Sequence, residues 1–152
     1  MKLFLGIIIL ILSTFIGYIL SEKFSKRRVF YKNFRLFNTE LEKEISFTKR
    51  TILELIEDKK DNDFNLIVFN YFNKNVLDFN LSYLKIEELD CFKIYLKTIG
   101  SSNDISQLQY LKTINIELDK RLLDAEANEK KYKTLYVKIG FLIGLILLII
   151  IM

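Results

Sequence analysis

Acid–base chemistry in this sequence would have to come from carboxylates. They fall in two groups, Glu40, Glu42 and Glu44, and then Glu87, Glu88 and Asp90. Paired carboxylates do such work only in a shaped, partly dry cleft that moves their pKa values. Glu40 and Glu44 stand four residues apart, so on a helix they form a like-charge pair on one surface. Such a group is either a solvated face or an electrostatic docking patch for another protein, and the spacing leaves both readings open. Composition closes the other routes to catalysis. The chain has no histidine, which removes the commonest general base and metal ligand. Its one cysteine, Cys91, can make neither a zinc site nor an intramolecular disulfide. With no histidine to activate it, Cys91 reads as a small packed side chain rather than a nucleophile. No glycine-rich phosphate loop is present, and four of the five glycines lie in apolar end segments. The residues therefore predict no enzyme activity, no metal and no cofactor.

Basic residues are the second chemical resource. Lys23, Lys26, Arg27, Arg28, Lys32 and Arg35 are interleaved with Phe24, Phe30, Tyr31 and Phe34. Cations mixed with aromatics can bind nucleic acid, but they also describe a helix lying against anionic lipid. The stretch directly follows an apolar segment, so the lipid membrane is the expected partner and nucleic acid is not.

That apolar segment, Leu3 to Leu20, carries no charge. As a helix its 18 residues span roughly 27 Å, close to a bilayer's hydrocarbon core. A cleaved signal peptide would have a shorter core and a small-x-small cleavage site, and Ser21-Glu22-Lys23 offers none. Ile139 to Met152 is uncharged as well; extended back to Leu135 it matches the first segment in length, with Lys138 reaching to the interface and Tyr132 and Tyr136 in the headgroup belt. Gly140 and Gly144 form a GxxxG pair. That spacing permits close helix approach in lipid, although glycine is in any case common in membrane helices. Cations lie behind the first segment and ahead of the second, at Lys130, Lys131, Lys133 and Lys138. The positive-inside rule then places the middle of the chain in the cytoplasm. The expected organisation is a transmembrane helix over 3–20, a cytoplasmic helical bundle over 21–134 and a second transmembrane helix over 135–152.

The middle contains no proline and a single glycine, Gly100, which argues for a few long helices. Phe30, Phe34, Phe37, Leu41 and Ile45, followed by Ile52 and Leu55, step by three, four and seven along one helix face. This spacing predicts one helix ending in the polar run Asp58 to Asp63. Phe64 to Phe79 reads as a second helix, since no hairpin signal flanks it. Tyr83 to Thr98 reads as a third, with Ser82 as its cap. Gly100, Ser102 and Asn103 form a turn, and Asp104 with Gln107 is spaced as a capping box. From Asp104 onward nothing breaks the helix, so it is expected to run straight into the second membrane segment. The fold class is all-α: an antiparallel helical bundle flanked by an N-terminal and a C-terminal transmembrane helix.

Four places in this arrangement resemble the stage III sporulation protein AB family of endospore-forming bacteria, and together they cover nearly the whole chain. They are Lys2 to Gly17, with Ser13-Thr14-Phe15-Ile16-Gly17; Leu41-Glu42-Lys43-Glu44-Ile45 with Arg35 upstream; Ile99-Gly100-Ser101-Ser102-Asn103 with Gln107 and Leu111 beyond; and Asn128-Glu129-Lys130-Lys131-Tyr132 leading into the last helix. Asn103 stands where the family usually has Asp. Lys49-Arg50-Thr51 replaces a proline-containing turn, and Tyr136-Val137-Lys138 interrupts what is more often a Leu-Gly run.

The resemblance implies a fold similar to the cytoplasmic domain of the inner-membrane platform protein of type II secretion and type IV pilus machines. It also implies membership of the channel apparatus between mother cell and forespore. The implied partners are a secretion-type cytoplasmic ATPase and other channel membrane proteins, with Arg35, Glu42 and Glu44 as the face offered to the motor. The implied location is the mother-cell side of the forespore outer membrane. Homo-oligomerisation is left open. The alternatives are a small holin-like permeabilising protein, which would not need so long an ordered middle, and a generic membrane-anchored adaptor.

Overall fold

The computed structural model describes residues 2–47, 51–57, 62–74, 81–99 and 104–151, and among them every regular element is an α-helix. In chain order these are α1 (Lys2–Phe47), α2 (Ile52–Glu57), α3 (Asp63–Lys74), α4 (Ile86–Thr98) and α5 (Asp104–Ile151). They divide into two compact units, Met1–Arg28 with Leu123–Met152, and Val29–Leu122. The fold is an all-α bundle with a long apolar helix at each end of the chain, as the periodicity predicts.

The unit Val29–Leu122 is built on an aromatic core. The predicted face of α1 supplies Phe30, Phe34, Phe37 and Leu41, each no more than 6% exposed. Phe34 lies at the centre, with ring centroids 5.5 Å from Phe64, 5.2 Å from Phe92 and 4.6 Å from Tyr95. Most of these contacts are edge-on or tilted, the arrangement that aromatic quadrupoles favour.

The single helix expected from Phe30 to Leu55 is two. α1 ends at Phe47, and α2 starts after Thr51. Thr51 and Glu54 form a capping box: Thr51 Oγ1 accepts from the Glu54 N–H at 3.3 Å, and Glu54 Oε2 accepts from the Thr51 N–H at 3.0 Å. Ile45 and Ile52 are seven residues apart, so the apolar phase continues across the break. Asn62 opens α3, its Oδ1 accepting from the Asn65 N–H at 2.8 Å. α4 begins at Ile86, three residues later than expected, and Ser82 is not its cap. Glu88 Oε2 instead accepts the Lys85 N–H at 3.0 Å, after a turn closed by the Leu84 N–H donating to Leu81 O. The end of the predicted helix over Phe64–Phe79 lies beyond Lys74, outside the described residues.

The other unit is an antiparallel helix pair, the first part of α1 against the last part of α5. These helices contain the two windows long and apolar enough to cross a membrane, and only 17% and 11% of those windows are buried within the protein. A soluble core helix would be mostly buried. Here Phe4, Ile11, Phe15, Ile143, Ile146 and Ile150 all point outward, as lipid-facing side chains do.

Candidate functional site

The proposed docking residues are tied into the unit Val29–Leu122. Arg35 forms an ion pair with Asp119 of α5, both about half exposed. Glu42 is half-buried, and its Oε2 accepts from Asn115 Nδ2 at 2.8 Å. That bond is the outer end of a polar chain. Asn115 Oδ1 accepts from Asn38 Nδ2 at 2.8 Å, the same Nδ2 reaches Leu111 O at 2.9 Å, and Asn38 Oδ1 accepts from the Tyr95 hydroxyl at 2.9 Å. Asn38 is fully buried, so its amide needs these partners: a buried polar group without one costs about 1–3 kcal/mol. The Tyr95 hydroxyl is buried too, and burial raises its pKa well above the tyrosine range. Glu44 is half-buried on α1 and takes part in an interaction of its own. The structure thus places Arg35, Glu42 and Glu44 on one helix and engages each of them within the protein, Arg35 and Glu42 with side chains of α5. Asn38 was not singled out in the sequence, although it sits four residues after Phe34 and three before Leu41, on the core-facing stripe.

Of the expected turn, Gly100, Ser102 and Asn103 lie outside the described residues; Gln107 is buried on α5. Cys91 is exposed rather than packed. The core face of α4 runs through Glu88, Phe92, Tyr95 and Leu96, which leaves position 91 at its edge, with Sγ 3.7 Å from Arg121 Nη2. The Arg121 guanidinium also lies 3.4 Å from the Tyr31 hydroxyl. Burial pushes Tyr31 up to about 12, against the lowering effect of that hydrogen bond. Among the described residues no group of three or more His, Cys, Asp or Glu side chains could hold a metal.

In the helix-pair unit, Gly140 and Gly144 face α1. A Cβ at Gly140 would lie 2.7 Å from Ser13 O and 3.2 Å from Gly17 Cα; one at Gly144 would overlap Ser13 Oγ and lie 2.9 Å from Leu10 Cα. Gly17 is the reciprocal partner, since a Cβ there would come 2.6 Å from Tyr136 O. Ser13 Oγ donates to Gly140 O at 2.6 Å. The seam is therefore two small-xxx-small pairs face to face, Ser13 with Gly17 and Gly140 with Gly144. Small side chains let backbones approach where lipid supplies no hydrophobic drive between helices. Gly17 is legible in the sequence only when paired with Ser13.

One end of this helix pair is charged. Arg27 Nη2 meets Asp124 Oδ2 at 2.9 Å, and Arg28 pairs with Glu129. Glu129 also accepts from the Ser25 hydroxyl at 2.7 Å, and Lys133 Nζ donates to that hydroxyl at 3.0 Å. The hydrogen bond from Ser25, with help from Arg28 and Lys133, holds the Glu129 carboxyl below the usual carboxylate range despite some desolvation. Phe24 stacks on Tyr132 at 5.2 Å and leans on Tyr136 at 5.6 Å, with Lys23 over the Phe24 and Tyr136 rings.

An antiparallel pair of long, apolar, outward-facing helices with a cationic, aromatic end is consistent with a protein that crosses the membrane twice. Comparison with protein families matches residues 61–152 to the family described as stage III sporulation protein AB. The match spans α3, α4 and α5, more than half of the chain, and the chain belongs to that family. It is narrower than the resemblance drawn from the sequence, whose first two places, Lys2 to Gly17 and Leu41 to Ile45, precede it. No curated protein and no solved structure matches the chain.

Proposed function

We propose that this sporulation-family membrane protein is a non-enzymatic platform of the channel apparatus linking mother cell and forespore. In this reading the unit Val29–Leu122 receives a secretion-type cytoplasmic ATPase, and the helix pair holds it among the other channel membrane proteins. The observation that carries the reading is the family match over residues 61–152. The clustering of Lys23, Lys26, Arg27, Arg28, Lys130, Lys131 and Lys133 at one end of the helix pair supports a cytoplasmic side for that end by the positive-inside rule. The mother-cell face of the forespore outer membrane is the corresponding location. An ordered helical unit between the spans favours a scaffold over a holin-like protein.

The docking face proposed for the motor is the α1 surface carrying Arg35, Glu42 and Glu44. The test is deletion of the gene in the native host, scored by heat-resistant spore counts and microscopy. Normal vegetative growth with loss of spores and arrest after engulfment is expected; an unchanged spore count rejects the platform. Complementation with Glu44→Lys then addresses the face itself, because it leaves the Asn115–Glu42 bond in place. Loss of co-purifying ATPase is expected, and full recovery of the complex rejects this face.

A further inference from the structure

The two sides of the helix pair are built differently. On one side the gap between α1 and α5 is filled by Phe24 against Tyr132 and Tyr136. On the other side an open groove remains. Its charged end, about 380 Å³, is lined by Arg28, Glu126, Glu129, Lys130, Lys133 and Thr134. Further along the same helices lies an apolar stretch of about 420 Å³, lined by Leu10, Thr14, Phe15, Tyr18, Val137 and Phe141 among others.

These two stretches are one stripe. On α5, the lining positions 126, 130, 133, 137 and 141 step by four, three, four and four. Residues at such spacing share one helix face. The groove therefore runs from a cationic head into an apolar body with no change of side. At the head, Arg28, Lys130 and Lys133 face the carboxylates of Glu126 and Glu129, a net charge of +1, and Glu129 is already engaged by Ser25, Arg28 and Lys133. Lys130 and Thr134 are exposed beside it.

We propose that this groove is a binding site for one anionic glycerophospholipid. Its phosphate sits at Lys130, Lys133 and Thr134, and an acyl chain lies along Val137, Phe141, Tyr18 and Thr14. Charge complementarity selects the anionic headgroup, and the apolar body selects a lipid over a free phosphate ion. The inference rests on membrane insertion alone and not on the platform reading, so a spore phenotype bears on one and not on the other.

The test is native mass spectrometry of the full chain released from detergent micelles, titrated with phosphatidylglycerol, phosphatidylcholine or inorganic phosphate. One tightly held phosphatidylglycerol is expected, with phosphatidylcholine held far more weakly. A juxtamembrane cation contributes about fivefold in affinity, so Lys130→Gln with Lys133→Gln is expected to weaken the adduct by more than that. The matched change on the filled side, Lys23→Gln with Lys131→Gln, removes the same charge and is expected to leave it nearly intact. Equal losses from both pairs would mean diffuse surface charge and overturn the site. So would equal retention of phosphatidylcholine, or displacement of the lipid by inorganic phosphate. Val137→Trp, which fills the apolar body without touching a charge, is expected to expel the lipid while circular dichroism stays unchanged; lipid retained in that variant also overturns the proposal.

Discussion

The unit Val29–Leu122 and the helix pair solve the same packing problem with opposite residues. The first fills its interior with the largest side chains in the sequence, Phe30, Phe34, Phe92 and Tyr95. The second brings backbones together by removing side chains at Gly17, Gly140 and Gly144 and, along its apolar length, turns Phe4 and Phe15 outward. Solvent accounts for the difference. In water, burying an aromatic ring is strongly favourable. In lipid the same ring gains nothing by leaving one apolar environment for another, so close contact and hydrogen bonds between backbones decide the geometry. A residue type is therefore no guide to its role until its solvent is known.

Substitutions can break this contrast. The largest effect is expected from Phe34→Ala, about 3–5 kcal/mol of lost stability for a cavity at the centre of an aromatic cluster. The same change at lipid-facing Phe15 is expected to fall within about 0.5 kcal/mol. Chemical unfolding in detergent, followed by near-ultraviolet circular dichroism, compares the two, and equal losses would erase the distinction. Gly140→Leu comes next, at roughly 1–3 kcal/mol for overpacking, since its Cβ would meet the Ser13 carbonyl. It should separate the helices while leaving the aromatic signal of the other unit in place. The smallest is Ser13→Ala, about 0.6 kcal/mol, the mean for one interhelical hydrogen bond in a membrane. A much larger loss would mean that the seam depends on this bond more than on close packing.

The long helices and the aromatic core were legible because each is written as repetition. α5 could be read from Asp104 onward because no breaker interrupts it, and Phe30 to Leu41 because the three–four stepping is unbroken. The end of α1 was hidden by that same stepping: a seven-residue interval from Ile45 to Ile52 looks continuous whether or not a turn lies inside it. The local signal, Thr51 with Glu54 three residues on, was present but weaker than the periodicity. Glu42 read as either a solvated or a docking side chain because α1 was considered alone; the group that engages it, Asn115, lies on α5 and is unrelated to it by any spacing. Gly17 likewise has its counterpart on the far helix. What single-helix patterns conveyed was which face is apolar, and what they omitted was every pairing between distant segments.

The bond from Ser13 to Gly140 joins residues 127 positions apart, and this separation has a consequence in time. A ribosome adding some 5–20 residues per second needs roughly 6–25 seconds to travel that distance. During that interval the first membrane helix lies in the bilayer with the notch at Ser13 and Gly17 open to whatever passes. Any neighbouring helix with a small-residue edge, including one from a second nascent copy, competes for the notch before its own partner is made. The order of synthesis thus gives a foreign helix the first opportunity to occupy it, and the native pair displaces an early arrival by the fit of its own seam and by proximity along the chain.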